Sequence, residues 1–282
     1  LRDEKVSLDK RRHAYRPDLA DARLQGQAKA ARFVEGKQAQ VAAPVLAMRV
    51  TPEETAAFSS ELLHGETVRV FERKRGWAWI QNETDAYVGY VREEGLRDAA
   101  ASTHRVRALR TTLHPLPALK SPSIGWLPMQ ALLTVRREQN GYAELDDESW
   151  VSVKHIAPLD QHAASPLEIA LRFLGTPYLW GGRSANGIDC SGLLQIAHAA
   201  CGIPCPRDSD MQAAELGVAL PLDAERQAGD LVFFPGHVGI MADGAHLLHA
   251  NAFHMETTID PLADVIARVG GAGIIGLRRL SR

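Results

Sequence analysis

Cysteine is scarce in this sequence. The three present, Cys190, Cys201 and Cys205, all fall in one short stretch. An odd, clustered number cannot supply the paired framework of a disulfide-dependent secreted domain, so a reducing compartment or a reactive thiol is expected. Cys201 and Cys205, in C-G-I-P-C, lack the two-residue spacing of a zinc knuckle or thioredoxin motif and are expected to be buried and inert. No apolar run is long enough to cross a membrane as a helix. Neither charge dominates: 32 Lys+Arg against 34 Asp+Glu leaves a formal net charge of -2, which offers no overall attraction to nucleic acid or an anionic membrane. The opening L-R-D-E-K-V-S-L-D-K-R-R has no signal-peptide core. The expectation is therefore a cytoplasmic protein. An exported one is the alternative if a leader has been trimmed, since the sequence begins at Leu1 rather than Met.

What is present is an ordinary globular mixture, 45% apolar and 23% charged over 282 residues, enough for two domains or three small ones. Residues 1–43 read as a polar arm to about residue 17, then a short helix over 18–36 carrying Leu19, Ala22, Leu24, Ala28, Ala31 and Phe33, then a linker. From residue 44 to 98 the texture is short and strand-like: T-V-R-V-F-E-R, W-A-W-I-Q and Y-V-G-Y-V, separated by turn formers. The pattern returns over 103–159, where G-Y-A-E-L and S-W-V-S-V stand where G-W-A-W-I and Y-V-G-Y-V stood. Two small tandem barrels are expected. Residues 165–282 mix helical and strand patterns, with an apolar helix from about Ser191 and short strands around His237 and His249.

The chemistry concentrates in G-G-R-S-A-N-G-I-D-C-S-G-L-L-Q-I-A. Gly181, Gly182 and Gly187 permit a tight approach to the helix, so Cys190 falls at its first turn. Unpaired N–H groups and the positive dipole end there favour a thiolate and can hold an oxyanion. His237, after a Pro-Gly turn, opens a strand, and His249 lies on the next. If the two strands pair, His249 can orient His237 toward Cys190 in triad fashion. By spacing alone, the same three residues also fit core packing or a zinc site lacking a short-spaced ligand pair.

Six signatures occur in order: G-T-P-Y-L-W-G-G at 175–182, G-I-D-C-S-G at 187–192, P-R-D-S-D-M-Q at 206–212, G-D-L-V-F-F at 229–234, G-H-V-G-I at 236–240 and H-A at 249–250. On these, residues 165–282 resemble the NlpC/P60 family of cell-wall peptidases. The resemblance implies an α+β, papain-like domain behind two SH3-like barrels and an N-terminal helical segment. It implies Cys190 as nucleophile, His237 as general base, His249 as the orienting residue (with His246 its competitor), and Tyr178 near the nucleophile. His254 reads as a loop residue.

Two SH3-like domains ahead of such a domain, with R-D-S at 207–209, are similar to the dipeptidyl-peptidase VI branch of the family. The similarity implies cleavage of the γ-D-glutamyl bond to a diamino acid in murein peptides that bear a free N-terminal L-alanine. Asp189, Ser191, Arg207, Asp208 and Ser209 would form the recognition shell, with Asp189 or Asp208 facing the substrate ammonium. Glu66 and Tyr87, or Tyr90 in its place, would close the far end of the cleft. Neither metal nor cofactor is implied, and the diamino acid is not distinguished.

Overall fold

The computed structural model describes residues 8–270 and 273–280; the first seven residues of the expected arm lie outside them. The chain divides into two compact units, residues 1–101 and 102–282.

The first unit is a β-barrel built from a seven-stranded sheet. Its strand order is Phe58–Leu63, Val45–Arg49, Val88–Arg92, Trp77–Asn82, Thr67–Lys74, Lys37–Val41 and Leu96–Arg97. Alternation drives it: Val68 and Val70, Ala78 and Ile80, and Met48 point inward with Val41 and Leu62 to form one closed core. The Thr67–Lys74 and Trp77–Asn82 strands meet at a two-residue turn with both φ angles positive, Arg75 at 53° and Gly76 at 76°. That turn matches the right-handed twist of the strands it joins.

The helix expected over 18–36 does not form. In its place Ala20–Asp21 pairs in parallel with Phe33–Val34, and a single 3-10 turn spans Ala22–Leu24. The Asp21 side chain accepts the Arg23 N–H, and Gly26 at φ 85° turns the chain back. The apolar spacing arises because Leu19 and Ala14 pack on Phe71 and Trp79 of the barrel rather than along one helical stripe. Arg16 completes the attachment, its guanidinium 4.3 Å over the Trp79 ring and paired with Glu72 at 2.7 Å.

The second unit opens with the second barrel. Its strands form three small antiparallel sheets around Val106, Leu127, Leu133, Ala143, Leu145 and Val151. The repeat is visible in the backbone: the Val135–Gln139 and Tyr142–Leu145 strands also meet at a two-residue turn, Asn140 at φ 52° and Gly141 at 79°. A 3-10 turn precedes the last strand in both barrels.

The C-terminal part of the unit holds helices α1 (Pro166–Leu171), α2 (Cys190–Ala200), α3 (Ser209–Glu215) and α4 (Leu262–Val269), with a six-stranded antiparallel sheet. The sheet runs Val218–Ala219, Gly276–Arg279, Leu231–Phe234, His237–Met241, His246–Asn251, Glu256–Pro261. The α2 helix packs on the His237–Met241 and His246–Asn251 strands. This is an α+β architecture. Its last helix, which the sequence pattern predicts over Asp260 to Val269, begins at Leu262, because the β-branched Thr257, Thr258 and Ile259 extend the ladder and Asp260 pairs with Leu247. The second barrel is tied to this domain by Arg172, which donates to the Arg107 carbonyl at 3.0 Å, and by Arg105, which donates to the Ala199 carbonyl at 3.3 Å.

Candidate active site

Cys190 is the first residue of α2, and the helix owes its start to Asp189. The Asp189 carboxylate accepts the Gly192 N–H at 2.7 Å, the Gly181 N–H at 2.8 Å and the Ser191 hydroxyl at 3.2 Å. Arg207, only 1% exposed, donates to both carboxylate oxygens, at 2.6 and 3.0 Å, and to Ser191 Oγ at 2.8 Å. A buried ion pair of this kind is held by two-pronged geometry and full hydrogen bonding. Glycine is required where the helix start meets the preceding loop: a Cβ on Gly192 would lie 2.3 Å from the Gly182 carbonyl oxygen. Cys190 is thereby held at a fixed point, 7% exposed, under the neighbouring strand.

That strand supplies the histidines. The His237–Met241 and His246–Asn251 strands pair antiparallel, with Ile240 opposite Leu248. His237 and His249 therefore sit diagonally on one face, and His237 Nε2 and His249 Nδ1 are 2.7 Å apart. The backbones of Val238, next to His237, and of Ser191 act on the Cys190 sulfur, each favouring its ionised form. Thiol, imidazole pair and helix N-terminus are thus brought together. His246 is elsewhere, bonded at the surface to Asp243 at 2.9 Å.

Beyond the pair stands a carboxylate that sequence reasoning missed. Asp260 Oδ2 lies 3.4 Å from His249 Nε2 and 3.1 Å from His254 Nε2, and it accepts from Arg268. His254 lies in the turn after the His249 strand, as a loop residue, yet it shares this acceptor. The only sequence signal was the β-branched run before Asp260, which marks a further strand beside the one carrying His249.

Electrostatics set the resting state. Burial pushes the Cys190 thiol up to about 12, and the negative Asp189 adds to this, against the opposing backbones of Val238 and Ser191. Burial likewise pulls His237 down to about 4, assisted by His249 and Arg268. Both shifts favour the neutral forms, desolvation opposing the thiolate that the helix N-terminus favours. A neutral His237 is competent to take the thiol proton as the sulfur attacks. Tyr178, half-buried, is pushed up to about 12 by burial and by Cys190 and Asp189, which places its hydroxyl in their field as a neutral donor.

The remaining predicted residues divide. Asp189 and Arg207 neutralise each other beneath the site, and Ser191 bonds within that pair. The carboxylate expected to face an ammonium is thus already engaged with a guanidinium. Asp208 and Ser209, half-buried at the start of α3, are the shell residues with exposed surface. In the first unit Glu66 accepts the Leu63 N–H at 2.8 Å within a strand turn, Tyr87 is buried in the barrel core, and the Tyr90 hydroxyl accepts from Arg16. Cys201 and Cys205 are half-buried rather than buried; Gln212 donates to the Cys205 sulfur at 3.4 Å.

Comparison with known proteins bears on the same stretch of the chain. Residues 175–267 match the NlpC/P60 family model, and residues 48–96 match that of the bacterial dipeptidyl-peptidase Sh3 domain. The chain carries an NlpC/P60 domain behind a bacterial SH3 domain. Dipeptidyl-peptidase 6 of Lysinibacillus sphaericus is 35% identical over 105 residues, 36% of this chain and 38% of that protein. The gamma-D-glutamyl-L-lysine dipeptidyl-peptidase of Bacillus subtilis (strain 168) is 35% identical over 138 residues, 44% of this chain and 46% of that one. The match thus spans less than half the length of either relative. An NlpC/P60 family protein from Bacillus cereus ATCC 10987 shares the fold, with a TM-score of 0.72 at 19% identity over 86% of this chain and 99% of that one. Cys190, His237 and His249 all fall inside the NlpC/P60 match, and Glu66 and Tyr87 inside the SH3 match.

Proposed function

We propose that this chain is a cysteine peptidase that cleaves the γ-D-glutamyl bond to the diamino acid of murein peptides, acting on peptides with a free N-terminal L-alanine and releasing L-Ala-γ-D-Glu. The observation that carries the reading is the convergence of the Cys190 thiol at the start of α2 with the hydrogen-bonded His237–His249 pair. The two relatives named as dipeptidyl-peptidases support the substrate class.

In this reaction Cys190 Sγ attacks the γ-carbonyl carbon while His237 takes the thiol proton. The tetrahedral oxyanion is stabilised by the Cys190 N–H at the start of α2 and by the Tyr178 hydroxyl. His237 returns the proton to the departing amine as the C–N bond breaks, leaving a thioester at Cys190. Water, deprotonated by His237, then cleaves the thioester and restores the thiol. The free ammonium of the substrate pairs with Asp208, which keeps exposed surface at the start of α3.

On this reading the enzyme recycles free muropeptides in the cytoplasm. The competing reading is an exported hydrolase of intact wall. The test is mass spectrometry of products from L-Ala-γ-D-Glu-meso-diaminopimelate and from intact sacculi, with Cys190→Ala as the blank. Release of L-Ala-γ-D-Glu from the free peptide alone supports recycling; release from sacculi supports the wall hydrolase.

A further inference from the structure

His237 can act as a base only if the nitrogen facing Cys190 carries no proton, and a neutral imidazole places its single proton on either nitrogen. Which one is set by the partners, and the structure follows them outward through three groups.

Asp260 is the outermost. Its Oδ2 is approached by His249 Nε2, His254 Nε2 and the Arg268 guanidinium. Such a carboxylate only accepts, so His249 carries its proton on Nε2. Its Nδ1 is then a bare acceptor, 2.7 Å from His237 Nε2. His237 must donate there, which leaves His237 Nδ1 bare. Val238, the residue after His237, acts through its backbone on the Cys190 sulfur, which sets the ring beside the thiol with its Nε2 already taken by His249.

We infer that Asp260, held by Arg268, is a positioning residue that fixes the tautomers of His249 and His237 and so aims the bare Nδ1 of His237 at Cys190. This rests on the roles given to Cys190 and His237 above, and Asp260 itself touches no reacting atom. Arg268 from α4, His254 from the turn and Asp189 from the start of α2 are the other charged or titratable groups acting on the pair. An arrangement of histidine on histidine on carboxylate does for the base what a single aspartate does in a serine-protease triad.

The test needs no substrate. Nitrogen–proton correlation spectra of the imidazoles are expected to show the His249 proton on Nε2 and the His237 proton on Nε2. In Asp260→Asn the amide can present N–H to His249 and reverse both tautomers. Alkylation of Cys190 by iodoacetamide at pH 7 is then expected to fall, with partial recovery in Asp260→Glu. Hydrolysis by Asp260→Asn should fall about 10²- to 10⁴-fold in kcat, the loss seen when an orienting carboxylate becomes an amide. A wild-type His249 proton on Nδ1 overturns the inference. So does an Asp260→Asn protein with unchanged ring spectra and unchanged alkylation. Should that variant fail to fold, the wild-type spectrum decides. If no murein peptide is cleaved while the spectra and alkylation behave as stated, the substrate reading fails and the positioning role stands.

Discussion

His237 and His249 are diagonal neighbours on adjacent antiparallel strands, Nε2 to Nδ1 at 2.7 Å. Both are held neutral by burial, His237 down to about 4, with Asp260 opposing the shift at His249. The acid limb of kcat/KM should accordingly fall near pH 4, where His237 gains a proton, and activity should be nearly flat between pH 5 and 7. A limb centred near 6.5, the ordinary histidine value, would contradict a buried neutral base.

The same shifts make stability depend on pH with a defined sign. Unfolded, both histidines bind protons from about pH 6.5 downward; folded, they resist. The unfolded state thus binds more protons in this window, and stability falls as pH drops from about 6.5 toward 4. Asp260, held down to about 2 by Arg268 and His249 despite the opposing effect of burial, adds a further loss from its ordinary value of 3.8 toward 2. Urea midpoints at pH 7, 5.5 and 4.5 should decline in order, and His237→Asn should flatten the decline.

Much of this site was legible from residues alone. The Gly-rich approach, the cysteine at an apolar helix start and the two histidines twelve apart on short strands were read from the sequence, and the structure has Cys190 opening α2 and the two rings in contact. The strands Leu231–Phe234 and His237–Met241 begin and end where the tight turns beside them indicate. Three things were not legible. The apolar spacing over 18–36 mimics a helix because Leu19 packs on the barrel's Trp79, a tertiary contact with no local signal. Asp260 was not legible as part of the site because its role depends on which strand lies beside it. The engagement of Asp189 by Arg207 joins residues eighteen apart, so a carboxylate read as a recognition group proved to be a buried support.

Breaking that support should cost stability before it costs chemistry. Asp189→Ala leaves Arg207 charged and buried, and Arg207→Met leaves Asp189 so; each is expected to destabilise by about 3–5 kcal/mol. Denaturant unfolding of the two single variants and the double variant checks this. The double variant should recover much of the loss, as a pair removed together leaves no unpaired charge.

Gly192→Ala adds one methyl group 2.3 Å from the Gly182 carbonyl oxygen, a position that no backbone can yield cheaply. The helix start must shift, and Cys190 with it. A misplacement of about 1 Å can cost about 10²-fold in rate. Hydrolysis and iodoacetamide alkylation should therefore fall together, whereas Gly125→Ala on the second barrel, whose Cβ would meet only Leu113 at an ordinary 3.7 Å, should leave both unchanged.

In the first unit, Arg16 stacks on Trp79 and pairs with Glu72, with its side chain 19% exposed. Arg16→Ala should release the N-terminal segment and destabilise the unit by about 1–2 kcal/mol through the lost stacking and ion pair. Increased proteolysis within residues 8–34, with Cys190 alkylation unaffected, is the expected readout.

The central claim is tested most directly by comparing hydrolysis of L-Ala-γ-D-Glu-meso-diaminopimelate with that of the same peptide N-acetylated, using Cys190→Ala as the blank. The account predicts cleavage of the free-amine peptide only, lost in the variant. Equal cleavage of both peptides would contradict amine recognition by Asp208, and cleavage of neither would contradict the proposed substrate class.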